Sequence, residues 1–267
     1  MSKNKQLPLS VESTQLWSSS SEALLEDSKN FEQWKIGMQK ISRISDGISD
    51  EFRPRLWLTL AENSFRRKHI ILDMASLDRE LSTTEIKLQT QISFDLHRTG
   101  SSFITHDNHQ TLKKLLLRFA CWNKKIGYCQ GLNILAAIIL QVMNGAERDA
   151  FKVFVYLVED ILPNNFFSSQ LTGLSVDMIV FRHMFNAKMP QLSLHLERLQ
   201  YESEYDQQLG THLEPPLVNV FTMQWFITLF SNCFSTSTTL RIWDLILLDG
   251  NETLLRTALA LWDYFSE

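Results

Sequence analysis

An almost entirely apolar stretch runs from Leu132 to Met143 and is followed by the pair Asn144-Gly145. Such a run is typical of a helix buried on most of its surface, and Asn-Gly is a common signal for the end of a helix. Polar Gln130 stands just before the run, after the break Ile126-Gly127. The sequence therefore predicts a buried helix that carries the amide of Gln130 at its N-terminal end, and the rest of the chain must cover it.

A second segment shows clear helical periodicity. Asp107 or Asn108 can cap it, and its basic residues Lys113, Lys114 and Arg118 are predicted to face solvent. Its apolar residues recur at helical spacing: Leu112, Leu115, Leu116, Phe119 and Ala120. Nowhere in the sequence are two alternating runs joined by the tight Asn-Gly or Asp-Gly turn of a β-hairpin. The predicted fold class is all-α.

Further helices are predicted before and after these two. The charged segment from Asp73 to Arg98 is stopped by Gly100, so Arg98 stands near a helix C-terminus. The polar run 201–212 indicates a loop, and 217–230, hydrophobic nearly all round, indicates a buried helix. Ser175 is predicted to cap a helix whose apolar residues pack inward: Val176, Ile179, Val180 and Met184.

The composition divides the chain into a tail and one domain. Residues 1–30 are rich in serine and acidic residues and contain few apolar anchors, which predicts a disordered tail. Apolar residues at helical spacing begin with Phe31 and Trp34, so we place the folded domain at 31–267. The final helix still shows an apolar face at Glu267, from which we expect the C-terminal part of the domain to be cut short or unusual.

Charge and composition exclude several kinds of partner and compartment. The chain has 26 Lys and Arg against 30 Asp and Glu, and this net charge of −4 offers no basic excess for nucleic acid. Three cysteines in no CxxC pair fit reduced thiols in the cytosol better than disulfides. No apolar run reaches the ~20 residues of a membrane span, and the N-terminus does not resemble a signal peptide. We therefore expect a cytoplasmic protein without a transmembrane segment.

Motifs of the common catalytic classes are missing from the sequence. It has no Gly-rich phosphate loop, no Gly-x-Ser-x-Gly elbow and no His-Glu-x-x-His motif, so hydrolysis of nucleotides, esters or peptides by this chain alone lacks the necessary groups. His106 and His109 have no second ligand pair at zinc spacing, which favours a capping loop over a metal site. We expect no metal and no cofactor of its own.

Arg98 and Gln130 remain as candidate reacting groups. An arginine at a helix end commonly does no more than complement the helix dipole and pair with an acid one turn earlier, here Asp95. Cys129 near a helix start could have a lowered pKa, but no histidine stands in sequence as its base, so a packed thiol is favoured. The two groups form no nucleophile, yet they could stabilise charge and place a water on a nucleotide held by another molecule.

Three motifs, in the same order along the chain, resemble the signature of the TBC domain, the Rab GTPase-activating fold. They are Ile92-x-x-Asp95-x-x-Arg98, Tyr128-x-Gln130-Gly131 and Arg241-Ile242-Trp243-Asp244. Each motif alone has little specificity, whereas the ordered set, preceded by Gly47 and Trp57, is highly specific. The resemblance covers 47–267, and the segments 95–100, 122–123, 127–131 and 221–226 are most similar to one branch of that family.

The resemblance implies a two-lobed helical fold and a mechanism with two fingers. Arg98 would enter the active site of the GTPase and neutralise charge on the transferred phosphate, and Gln130 would orient the attacking water. Asp95 would orient the arginine or its helix, while Tyr128 and Gly131 would let the amide approach the nucleotide. GTP and Mg²⁺ would belong to the partner.

The same resemblance implies a GTP-bound Rab-family GTPase as the partner, recruitment to Rab-bearing membranes and a role in vesicle trafficking. Trp57, Trp243 and Asp244 would hold the core or the partner groove rather than take part in the chemistry, because buried aromatic residues are usually packing residues. Arg55 would contact the GTPase or an acidic residue of this chain. An alternative is a catalytically silent TBC module that binds a Rab or scaffolds a complex. The presence of both finger residues favours activation over this alternative.

Overall fold

The computed structural model describes residues 28–81, 86–98, 108–208 and 218–266, so the predicted tail lies almost wholly outside the described residues, as do Asp107 and Gly100. The described chain forms twelve α-helices and one π-helical turn and contains no strand, which confirms the all-α prediction. In chain order the elements are α1 (Ser28–Ser42), α2 (Arg53–Arg67), α3 (Met74–Leu81), α4 (Ile86–Arg98), α5 (His109–Trp122), α6 (Leu132–Val142), α7 (Glu147–Tyr156), the π-turn (Leu157–Ile161), α8 (Thr172–Lys188), α9 (Pro190–Gln208), α10 (Val218–Ile227), α11 (Thr236–Asp249) and α12 (Glu252–Phe265).

Helix α6 is the predicted apolar helix, and it is buried on nearly all sides. Leu135, Ala136, Ile138 and Ile139 have no exposed surface, and α4, α5 and α7 pack around them. Each fully buried Leu or Ile side chain stabilises a fold by about 1.5–3 kcal/mol. The helix ends where Asn144 and Gly145 take positive φ angles, as the sequence predicts. Among the described residues, no helix combines the length and apolar character needed to cross a membrane.

The helices form two groups that α11 joins. The first group consists of α2 to α7, and the second of α8, α9, α10 and α12. Helix α11 packs against α1 and α2 on one side and against α12 on the other. Trp243 of α11 donates to the Leu229 carbonyl, and Trp262 of α12 donates to Thr222 of α10. These buried indole hydrogen bonds join α10 and the residues after it to α11 and α12. This arrangement is the two-lobed helical fold.

A buried ion pair fixes α11 to α2. Asp244 is 1% exposed and accepts hydrogen bonds from Arg53 Nε at 3.1 Å and from Trp57 Nε1 at 2.7 Å. Arg53 also donates to the Ile48 carbonyl at 2.7 Å and contacts Asp50. Burial raises the pKa of Asp244 to about 6, while the charge of Arg53 acts in the opposite direction. The carboxylate is therefore mostly ionised at neutral pH and compensates the buried guanidinium.

The prediction that Arg118 faces solvent is wrong. Its side chain is 4% exposed, and it donates to Asp78 Oδ1 at 2.8 Å and to Glu147 Oε2 at 2.6 Å. The hydrogen bond from Arg118 lowers the pKa of Asp78 below its ordinary value. A cation can be buried when carboxylates pair with it, and here they come from α3 and α7, which the periodicity of α5 alone cannot reveal.

The predicted inward face of α8 is also wrong. The helix begins at Thr172, so Ser175 lies inside it, and Val176, Ile179 and Val180 are 57%, 58% and 40% exposed. The buried stripe is formed by larger residues on another side of the helix, chiefly Leu174, Phe181 and Phe185. Phe181 packs edge-to-face on Phe226 of α10, and burying rings gains more apolar area than burying valines.

Two further segments differ from their predicted form. Helix α9 continues through Gln208, so the run from 201 to 208 is helical and not a loop; its glutamate and glutamine residues are good helix formers. Helix α10 ends at Ile227, and only Thr222 and Phe226 on it are buried, whereas Val220 and Phe221 are 57% and 44% exposed. A segment that is apolar all round can still present one side to solvent when too few helices surround it.

We predict that Asp244→Ala destabilises the protein by about 3–5 kcal/mol, because it leaves the Arg53 guanidinium buried without its carboxylate. The measurement is urea denaturation followed by circular dichroism. Glu252→Ala is the control, since Glu252 pairs with Arg256 on the exposed face of α12 and such pairs contribute at most about 1 kcal/mol. Equal losses in the two variants would contradict the prediction.

Candidate functional site

The site begins at the C-terminal end of α4. Ile92 and Leu96 are buried, and they fix α4 against the first group of helices, where it packs on α5 and α6. Asp95 is also buried, at 5% exposure, although it carries a carboxylate. Arg98 is the last residue of α4, one helical turn after Asp95, and its side chain lies outside the described part of the structure. The buried face of α4 therefore fixes this helix up to the turn that ends at Arg98.

The loop between α5 and α6 carries Gln130, and its first residues are held by the π-turn. Glu159 of that turn accepts from Trp122 Nε1 at 3.1 Å and from Asn123 Nδ2 at 2.8 Å. The side-chain oxygen of Asn123 accepts from the amide of Ile126 at 3.0 Å. These bonds fix the start of the loop to the π-turn that follows α7.

Tyr128 connects this loop to α4. Its hydroxyl donates to Asp95 Oδ2 at 2.8 Å, which satisfies the buried carboxylate. A hydrogen bond to a charged group contributes about 1.5–3 kcal/mol, and it would cost more to leave that carboxylate buried and unpaired. The structure thus brings together Asp95 and Tyr128, two of the residues singled out from the sequence, although 33 positions separate them.

Gly131 forms the transition from the loop to α6. Its φ is +104° and its ψ is −30°, a backbone conformation that side chains disfavour, and a Cβ there would lie 3.0 Å from Ile227 Cγ2. Its amide donates to Asn133 Oδ1 at 3.1 Å. Gln130, directly before it, is exposed. The loop therefore presents the Gln130 amide from a backbone that is held on both sides.

Two clefts meet at Gln130 and Asp95, which line both of them. The larger one, about 810 Å³, runs along α4 and is lined by Lys87, Phe94 and His97 among others. The smaller one, about 450 Å³, lies between the loop and the end of α10. Phe94 is 63% exposed in the larger cleft, an unusual position for an aromatic side chain. Among the described residues, both clefts open to the surface of the protein.

Cys129 lines the smaller cleft but is a poor nucleophile. Burial and the nearby charge of Asp95 raise the pKa of its thiol above the ordinary value. A thiol with a raised pKa is mostly protonated at neutral pH and reacts slowly. Among the described residues, no cluster of three His, Cys, Asp or Glu side chains could hold a metal ion.

The residues predicted for a groove or the core line neither of the two clefts. Trp57, Trp243 and Asp244 have at most 1% exposed surface, and the two indoles stack with ring centroids 5.9 Å apart. In this structure they cannot contact a partner directly, and they hold α11 on α2. Arg55, on α2, is partly exposed.

Sequence reasoning missed two residues of the site, Asn133 and Glu159. Asn133 is the second residue of the otherwise apolar first turn of α6, and a polar residue inside a buried run is the signal that could have found it. Its Nδ2 donates to the Asp95 carbonyl at 3.4 Å. Glu159 stands in a π-turn, and π-helical turns occur often at functional sites, but the sequence gives no sign of one.

Comparison with known proteins places this arrangement in a family. The chain matches the model of the Rab-GTPase-TBC domain over residues 50–267. It is 45% identical over 244 residues to TBC1 domain family member 30 of Xenopus tropicalis, covering 89% of this chain and 27% of the relative. The mouse protein of that name, from Mus musculus, is 43% identical over 244 residues, covering 89% of this chain and 32% of the relative. The resemblance seen in the sequence, including its branch, is confirmed.

More distant relatives and solved structures agree. TBC1 domain family member 2A of Rattus norvegicus is 33% identical over 226 residues, which cover 83% of this chain and 23% of the relative. The Chlamydomonas flagellar RabGAP TBC domain superposes with a TM-score of 0.69 at 20% identity, covering 96% of this chain and 79% of the other. The Ypt/Rab-GAP domain of Gyp1p gives 0.62 at 16% identity, with coverages of 86% and 79%. These two structures show the fold alone. The chain spans about a quarter to a third of the length of the member 30 relatives.

We predict that Gly131→Ala lowers stability by about 2–3 kcal/mol, because the added methyl group meets Ile227 and the backbone conformation is strained. Gly127→Ala is the matched control in the same loop. Gly127 also has a positive φ, but a Cβ there meets nothing within 4 Å, so only the strain of about 1–2 kcal/mol applies. Thermal denaturation of both variants checks the difference, and an equal or larger loss for Gly127→Ala would refute it.

Proposed function

This chain belongs to the Rab-GTPase-TBC domain family, and from that premise we propose that it accelerates GTP hydrolysis by a Rab-family GTPase. In this proposal Arg98 and Gln130 enter the nucleotide site of the GTPase in trans, and the GTPase supplies GTP and Mg²⁺. The partner is the GTP-bound form, because only that form holds the phosphate to be transferred.

The observation that carries the proposal is the hydrogen bond between Tyr128 and Asp95. It ties the loop that presents Gln130 to the last turn of the helix that ends at Arg98. Gln130 itself is exposed beside two open clefts, so its amide is free to enter another protein. Buried anchors beneath an exposed amide are what a preorganised group needs in order to act on a substrate held elsewhere.

Arg98 would act by electrostatic stabilisation. During phosphoryl transfer, negative charge spreads over the γ-phosphate and the leaving oxygen, and a guanidinium brought close to them stabilises the transition state more than the ground state. An arginine finger supplied in trans increases the rate by about 10³–10⁵, which corresponds to about 4–7 kcal/mol of barrier. A solvent-exposed ion pair of ~0–1 kcal/mol cannot supply this, so the finger must work in a site from which water is excluded.

Gln130 would act on the attacking water. A carboxamide can accept a hydrogen bond from the water through its oxygen and donate one to a phosphate or backbone oxygen through its nitrogen. It thereby fixes the water in line with the bond to be broken. The water oxygen bonds to the γ-phosphorus as the bond to the β–γ bridging oxygen breaks and GDP leaves with that electron pair, and the water's proton passes to a phosphate oxygen and not to the glutamine. Orientation of this kind lowers the entropic cost of the reaction.

We predict that Arg98→Ala decreases the acceleration by about 10³-fold or more, because the charge that stabilises the transition state is removed. Single-turnover GTP hydrolysis across a panel of purified Rab proteins, with and without this chain, measures it. Arg148→Ala is the control, since Arg148 is an exposed arginine on α7, away from the site. A rate in Arg98→Ala equal to that of the unmodified chain would rule out its role.

We predict that Gln130→Ala decreases the acceleration by about 10²-fold or more while binding of the GTP-loaded Rab persists, because the water loses its orienting group. Gln141→Ala provides a matched control, as Gln141 is an exposed glutamine near the C-terminal end of α6, whereas Gln130 precedes the N-terminal end of that helix. If the unmodified chain binds a GTP-loaded Rab but accelerates hydrolysis by none of the panel, the catalytically silent module replaces this proposal.

A further inference from the structure

Asn133 lies where the two finger-bearing segments meet. It is 6% exposed and stands in the first turn of α6, with its carboxamide directed out of the apolar core toward the loop and α4. Its Oδ1 accepts from the Gly131 amide at 3.1 Å, and its Nδ2 donates to the Asp95 carbonyl at 3.4 Å. One side chain thus bridges the residue after Gln130 and the residue one turn before Arg98.

We propose that Asn133 is a positioning residue that holds the Gln130 loop and the Arg98 end of α4 in one fixed arrangement. This inference rests on the proposed function above. Asn133 touches no reacting atom; it acts through the backbone of Gly131 and the backbone of Asp95.

The chemistry of the bridge requires an amide. Gly131 offers a donor and the Asp95 carbonyl offers an acceptor, so the bridging group must accept on one side and donate on the other. Asn does both with one planar group. A carboxylate of the same shape would keep the bond to Gly131 but would direct a second oxygen at the Asp95 carbonyl, where two acceptors repel.

The bridge works together with the bond from Tyr128 to Asp95. Gln130 lies between Tyr128 and Gly131, and both of these residues are tied to Asp95, Tyr128 directly and Gly131 through Asn133. One attachment on each side of an exposed residue leaves its backbone little freedom, whereas a single attachment would let the loop rotate about that point. Misplacing a catalytic group by about 1 Å costs about 10²-fold in rate.

The test uses three variants of the full chain. Asn133→Leu removes both bonds and keeps the number and branching of the side-chain heavy atoms, and Asn133→Asp keeps only the bond to Gly131. Thr222→Val is the matched control: Thr222 is a fully buried polar residue of α10 that accepts a hydrogen bond from Trp262, so its loss perturbs stability without touching the finger segments.

The first readout does not depend on catalysis. Hydrogen exchange at the Gly131 amide, followed by NMR, is expected to be at least about tenfold faster in Asn133→Leu than in the unmodified chain, and unchanged in Asn133→Asp and Thr222→Val. Unchanged exchange in Asn133→Leu would overturn the bridge, whatever the chain does to a Rab.

The second readout is single-turnover hydrolysis at varied concentrations of the chain, in which the saturating rate constant stands for kcat and the half-saturating concentration of the chain for KM. Both Asn133 variants are expected to lower kcat by about 10–10²-fold with KM changed less than about threefold, and Thr222→Val is expected to leave both near their original values. If the unmodified chain accelerates hydrolysis and the Asn133 variants do so equally, the positioning role is wrong while the proposed function stands. If the unmodified chain accelerates none of the Rabs, the proposed function fails, and the exchange of the Gly131 amide still decides whether the bridge exists.

Discussion

Burial of α6 is the constraint from which the arrangement of the site follows. A helix whose side chains are apolar on nearly every side must be covered by neighbours, and here α4, α5 and α7 supply that cover. Because neighbouring helices enclose α6, the loop that leads into α6 must lie at the edge of the same group of helices. The entering loop therefore runs directly past the end of α4, and Gln130 becomes exposed at the point where the core stops.

Polar groups buried at this edge are satisfied by partners from neighbouring segments. Asp95 is paired with Tyr128, and Asn133 is paired with Gly131 and with the backbone of Asp95. The junction of the two lobes uses the same device, since Asp244 of α11 accepts from Arg53 and Trp57 of α2. In both places a buried polar group binds a partner from a different helix or loop, so relative movement of the two segments would leave a buried group unsatisfied, at a cost of about 1–3 kcal/mol or more.

Much of the fold and part of the site followed from local patterns. The periodicity of α5, the stop at Asn144-Gly145 and the absence of hairpin turns were sufficient for an all-helical chain. The errors arose where a helix's surroundings decide which side is buried: Arg118 lies inside because two acids from other helices reach it, and Ile179 lies outside because Phe181 occupies the buried face of α8. The sequence marks Asn133 as a polar residue inside a buried run, but its role depends on contacts with Gly131 and Asp95, and the contact with Asp95 cannot be predicted from the neighbouring sequence.

The sequence by itself determined where most helices form, because hydrophobic periodicity, caps and helix stops act over a few residues. It also determined the family, because three motifs in a fixed order can be recognised from residue types alone. Only the tertiary structure decided which of those residues meet. Asp95 and Tyr128 are 33 positions apart, and Arg53 and Asp244 are 191 apart. Contacts over such separations depend on how all the helices pack at once, which no local pattern encodes.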